Sequence, residues 1–218
     1  MYLLPRGKII KERLDTARLK MPDALLKMCS NHFSGYLTFE NDKTGASAVL
    51  CYAHGKIVAA LCQVDDGRLC GESALEMIFQ IVQSAQCFMG VYRLEDDFIP
   101  YVQQFCHATV EAENQRVDLF DIERMMAWVR QEKFTGCLRL HSSKRVMLIF
   151  YNEGKAHGFF GDGDVGLNTD VDVADSIVKD DDCLLDILHH NPDGNTKCKL
   201  VGINLEKVWL QVWRSLNL

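Results

Sequence analysis

The chain has 218 residues, 48% of them hydrophobic, and a formal net charge of −6. So apolar a composition provides a packed core and excludes a disordered chain. The acidic balance, with no clustered basic face, speaks against binding phosphate backbones, so no nucleic-acid partner is expected.

The opening residues, "MYLLPRGKIIKERLD", lack the apolar core of a secretory signal. No apolar stretch reaches the roughly 18 residues that a membrane span needs, so no span is expected. Of the nine cysteines, most lie inside apolar runs, and no CxxC occurs. They read as reduced, buried thiols of a cytoplasmic protein rather than as disulfides or zinc ligands.

Pro22 and Asp23 open a helix that places Leu25, Leu26, Met28 and Cys29 near one face. It ends before Phe33-Ser34-Gly35, where glycine permits a tight exit. Period-2 strands follow over 36–40, 46–53 and 57–62, with a hairpin turn at His54-Gly55. A second helix carries Leu75, Ile78, Phe79 and Val82, and a strand covers 87–93. Ile99, Val102, Phe105, Cys106, Thr109 and Val110 then show helical spacing, with Pro100 at the start; a linking helix is placed over 96–117.

After it the pattern returns. Asp118 precedes Leu119, Ile122, Met125, Met126 and Val129, a helical stripe. Strands over 137–141, 145–151 and 156–160 follow, with Glu153-Gly154 as the hairpin turn. A weaker helix holds Val173, Ile177 and Val178, and a strand covers 183–188. "CYAHGK" (51–56) thus returns as "FYNEGK" (150–155), and "HFSGYLTFE" (32–40) as "KFTGCLRLH" (133–141). Cys87 matches Cys183. The offset between copies shortens by two residues between Gly35/Gly136 and Gly55/Gly154, inside a loop that tolerates deletion. The carboxyl terminus reads as an amphipathic helix with Leu205, Val208, Trp209, Val212, Trp213 and Leu216 on one stripe. It either packs on the second unit or meets another chain.

The expected fold is α+β: two tandem repeats, each an antiparallel β-meander covered by helices. The expected divisions are a first unit over 1–95, the linking helix over 96–117, a second and divergent unit over 118–190, and a connection with the terminal helix over 191–218.

"LPRGKIIKERLDT" (4–16), "LLKMCSNHFSGYLTF" (25–39), "LCYAHGKIVAAL" (50–61) and "GESALEMI" (71–78) together resemble the PATAN domain. That domain is named for the amino-terminal region of PatA-type bacterial response regulators. The resemblance covers 4–94 well and 118–190 more loosely. It implies a bacterial cytoplasmic signalling module with a bacterial regulatory protein as partner, and it brings no catalytic residues.

Sharper sites fare poorly. Gly55-Lys56 and Gly154-Lys155 are not phosphate cradles, because neither forms a G-x-x-x-x-G-K-[ST] loop entering a helix. Asp162, Asp164, Asp170, Asp172 and Asp175 miss the EF-hand spacing and read as a solvated loop. His157, His189 and His190 find no second ligand pair. Cys51, Cys62 and Cys87 have apolar neighbours and read as structural. Catalytic residues, cofactors and metals are therefore expected to be none. The expectation is a non-enzymatic scaffold or signalling module acting by protein–protein contact, with Trp209 and Trp213 as the candidate interface and a homodimer as one arrangement. The alternative is a small-molecule or redox sensor using a pocket between the repeats.

Overall fold

A computed structural model describes residues 3–64, 67–119, 121–169, 177–190, 200 and 203–216. Two compact units emerge. The first holds Lys8–His107 and the carboxyl-terminal helix; the second holds Ala108–Pro192 and the residues just before Lys8.

In the first unit a strand, β1 (Lys8–Asp15), leads through a 3-10 turn into helix α1 (Met21–Ser30). The meander follows as β2 (Gly35–Asn41), β3 (Ser47–Ala53) and β4 (Lys56–Val64), extended by the short β5 (Gly67–Cys70). Helix α2 (Gly71–Gln83) and strand β6 (Cys87–Arg93) come next, then α3 (Ile99–His107). The sheet runs β1-β6-β2-β3-β4-β5, antiparallel throughout. Alternation along the strands sends Leu37, Phe39, Leu50 and Tyr52 to one face, where Leu75, Ile78 and Phe79 of α2 cover them.

The second unit repeats the plan. It contains β7 (Thr109–Arg116), α4 (Ile122–Gln131), β8 (Gly136–His141), β9 (Val146–Asn152), β10 (Lys155–Phe160) and β11 (Leu184–His189). Its sheet runs β7-β11-β8-β9-β10, the same order minus the outermost strand. The registers agree as well. Lys8, Ile9, Lys11, Leu14 and Asp15 face Arg93, Tyr92, Val91, Met89 and Phe88. Thr109, Val110, Ala112, Gln115 and Arg116 face His189, Leu188, Ile187, Leu185 and Leu184, with the register breaking at the same two places. Arg13 and Asn114, in matching bulges, both have positive φ (48° and 53°).

The repeated motifs have a common physical cause. Phe33 and Phe134 are buried, and their backbone carbonyls accept from the Gly55 and Gly154 amides, each at 2.8 Å. The next side chain holds the other turn residue: Ser34 Oγ accepts from His54 N at 3.0 Å, and Thr135 Oγ1 from Glu153 N at 2.9 Å. Gly35 and Gly136 come next because a β-carbon there would overlap the Tyr92 or Leu188 carbonyl oxygen of the adjacent strand. The tight turns have φ of 48° then 78° at His54-Gly55, and 48° then 77° at Glu153-Gly154. Those values suit a two-residue hairpin loop.

Four expectations change. The stretch read as one linking helix is a helix only as far as His107; Thr109 and Val110 lie in β7, which pairs with β11. Neither β1 nor β7 was expected, because both are charged edge strands with no apolar alternation. The weaker helix of the second copy falls largely on 171–176, outside the described residues; Ile177–Lys179 form a 3-10 turn. Helix α5 (Leu205–Leu216) packs on the first unit rather than the second, with Val208 and Val212 buried in the same core as α2.

Candidate functional site

Each unit carries a groove between its amino-terminal strand and its first helix. In the first unit it encloses about 600 Å³, with Ile10 on one wall, Met28 on the other and Val91 on the floor. In the second it encloses about 740 Å³, between Glu111 and Ala112 on β7 and Met125 and Trp128 on α4, with Ile187 below. The two grooves overlap at one place, where Ile10 and Val91 match Glu111 and Ile187; from there the first runs toward Asn31 at the end of α1 and the His54 turn, and the second toward Asp121 at the start of α4. The bulge is what delivers Ile10 and Glu111, each the residue skipped in the ladder, to the groove wall. Both strands are sheet edges. Ile9 and Ile10 are 53% and 42% exposed, unusual for isoleucines on a strand. The rims carry both signs of charge: Arg93 and Asp96 line the first, with His54 3.6 Å from Asp96, and in the second Arg116 is paired with Asp118 at 2.6 Å beside Arg124.

A separate cavity of about 540 Å³ lies within the first unit, lined by Lys56, Ile57, Leu75, Gln103, His107 and Leu205 among others. Lys56, from the Gly-Lys turn, is exposed at its edge. Gln103 is engaged, its Nε2 donating to the Val58 carbonyl at 3.2 Å.

Chemistry-bearing groups are mostly withdrawn. Burial pushes the Cys62 and Cys106 thiols up to about 12 and those of Cys87 and Cys183 to about 11, and drives Cys51 well above its usual range. These thiols remain protonated and poor nucleophiles. Cys70 departs from the free-thiol expectation: it is disulfide-bonded. In the second unit, Arg139, His141 and Asp186 form a buried cluster on the sheet face turned away from α4. Asp186 accepts from Arg139 Nη1 at 2.5 Å, from the His141 ring at 3.2 Å and from the Asn114 amide at 2.8 Å. Burial alone would raise this carboxyl, but the hydrogen bonds from His141 and Asn114 and the Arg139 charge pull it down to about 2. Among the described residues no three His, Cys, Asp or Glu side chains come together as a metal ligand set, and no helix is long and apolar enough to cross a membrane.

A family model described as an uncharacterized protein conserved in archaea, DUF2226, matches residues 2–104. No curated protein and no solved structure matches the chain. The match overturns the PATAN resemblance, and with it the expectation of a bacterial chain and a bacterial regulatory partner. The quoted motifs misled because they are hairpin and packing glycines in apolar strands. The matched stretch spans the first copy from before β1 into α3, so the similarity includes both walls of the first groove.

Of the sequence-predicted residues, Trp209 and Trp213 part company. Trp209 packs edge-on against Phe79, ring centroids 5.1 Å apart, and belongs to the first unit's core; Trp213 is 50% exposed. Asp162 and Asp164 are structural: Asp162 Oδ1 accepts from Arg6 N at 2.7 Å, and Asp164 from Gly161 N at 2.7 Å. Asp170, Asp172 and Asp175 lie outside the described residues. His157 and His189 are exposed, and His189 lies edge-on to Phe134. The grooves and the Arg139–His141–Asp186 cluster went unread. The cluster did leave a trace, since "CLRLH" and "LLDIL" set charged residues within apolar strands.

Proposed function

We propose that the chain is a non-enzymatic binding module of scaffold or regulatory type, acting through contact with another protein along the groove beside each edge strand. One observation carries this reading: both copies keep the bulged edge strand and a trough beside it, with Glu111 in the second copy where Ile10 stands in the first and Ile187 where Val91 stands. An edge strand beside an apolar trough suits an extended segment, whose main chain extends the sheet while its side chains enter the groove. The protonated thiols, and an Asp186 carboxylate held by three donors, also favour binding over catalysis. The test fills each groove with an arginine, Ile10→Arg in one variant and Ala112→Arg in another, followed by comparative capture from the native host. Loss of specific partners with an unchanged melting temperature is expected; an identical captured set from both variants overturns the reading.

A second reading, a small-molecule sensor, is favoured by the 540 Å³ cavity, which lies inside one unit. Thermal-shift screening of small apolar acids and amides tests it, and a rise abolished by Gln103→Leu is expected.

A further inference from the structure

The cavity of about 540 Å³ in the first unit has a lining that narrows what it can hold. Its volume lies within the roughly 300–1,000 Å³ usual for small-molecule sites. The walls are mostly hydrocarbon: Ile57 and Val58 from β4, Leu75 from α2, Leu200 and Ile203 before α5, and Leu205 in its first turn. The polar groups are few. Lys56 opens β4 after the Gly55 turn, and Gln103 and His107, four residues apart, share one face of α3. Gln103 is fixed in place, because Val58 is skipped in the β3–β4 ladder and its carbonyl accepts from Gln103 Nε2 at 3.2 Å. Acidic residues outnumber basic ones 30 to 24 over the chain, yet no Asp or Glu is among the described residues of this lining. Lys56 makes no ion pair with a described residue.

We propose that this cavity binds a small apolar monocarboxylic acid, with its carboxylate at Lys56 and its hydrocarbon among Ile57, Leu75, Ile203 and Leu205. One lysine beside apolar walls suits one negative charge on an apolar body. A phosphate or a dicarboxylate would bring a second charge with no second lysine or arginine in the lining to meet it, and leaving that charge unpaired in hydrocarbon is costly. The site shares no residue with either groove. It deepens the small-molecule reading, on which it rests, by fixing the charge of the ligand and the side chain that meets it.

Isothermal titration calorimetry of the full chain with octanoate, hexanoate and octanamide at pH 7 provides the test. Octanoate should bind at one site per chain, and hexanoate about fifteenfold more weakly, about fourfold for each methylene lost. Octanoate should bind about fivefold tighter than octanamide, the margin of one exposed ion pair. Lys56→Gln should erase that margin with an unchanged melting temperature, because this side chain is exposed. Ile203→Trp, which fills the cavity, should abolish binding of all three; the Lys56→Gln comparison stands whether or not that variant folds. Octanamide binding as tightly as octanoate to the wild-type chain overturns the proposed charge and leaves the small-molecule reading intact. Octanoate affinity unchanged by Lys56→Gln also overturns the proposal, and so does hexanoate binding as tightly as octanoate. No binding by any of the three compounds overturns the proposal and the small-molecule reading together.

Discussion

Asp186 has three donors and almost no water, and that combination sets the acid behaviour of the second unit. Its carboxyl is held at about 2, below the ordinary aspartate value of about 3.9. A carboxyl depressed by folding contributes stability fully above its unfolded pKa and loses it as pH falls toward the folded one. The contribution is therefore intact at neutral pH and fades between about pH 4 and pH 2. Asp180, held below its usual range by hydrogen bonds from Arg145 and Ser142, adds to the same limb from a more exposed position. Asp186→Asn should cost about 3 kcal/mol at pH 7, because it leaves the Arg139 guanidinium buried without its counter-charge. It should also flatten the loss of stability between pH 4 and pH 2. Urea titrations of both proteins at pH 7, 4 and 2.5 check this; an acid limb of unchanged steepness in the variant would refute the assignment. The cluster was hard to read in the sequence because its charged members come from two strands, β8 and β11, and its Asn114 donor from a third, β7, and only pairing brings them together.

At the scale of elements, the informative feature is the hairpin tip resting on a helix end. Gly55 sits so close to the end of α1 that a β-carbon would overlap the Cys29 carbonyl oxygen, whereas one at Gly154 would stand 2.9 Å from the Val129 carbonyl oxygen. Both glycines have the left-handed φ that costs an L-residue about 1–2 kcal/mol. Gly55→Ala should therefore destabilise by about 3 kcal/mol and Gly154→Ala by about 1–2 kcal/mol, an asymmetry that parallel thermal melts will detect. Equal losses would mean that the helix end moves aside in the first unit. These turns were legible from sequence, as were the meander, α1, α4 and the two-copy plan, because a glycine after a polar residue between alternating runs has one dominant cause. The edge strands were not. Lys8–Asp15 and Thr109–Arg116 bury little, so hydrophobic periodicity has nothing to report there, and only the partner strands β6 and β11 define them. The unit that receives α5 was equally hidden, since an amphipathic stripe says that a face is buried without naming what buries it.

For the whole molecule, the thiols provide reporters spread over both units. Cys51, Cys62 and Cys87 lie in the first sheet, and Cys137 lies in the second with Cys183 immediately before β11; all are buried, while Cys29 is half-buried at the end of α1. A thiol held near 12 has only about one part in ten thousand as thiolate at pH 8, so native labelling must wait for opening. Treatment with an aromatic disulfide reagent should modify Cys29 first and leave these five buried cysteines unmodified until denaturant is added. In moderate urea, Cys51, Cys62 and Cys87 should then label at one shared rate, because a single sheet opens as one cooperative unit. Cys137 and Cys183 should share a second rate set by their own sheet. Peptide mass spectrometry of timed samples resolves the sites. Fast labelling of Cys51 or Cys62 in the absence of urea would show that the first core opens readily, and would move the functional reading from a binding module toward a redox-sensitive one. Separate rates within one unit would break the picture of each copy as a single cooperative fold, on which the groove in each unit depends for its shape.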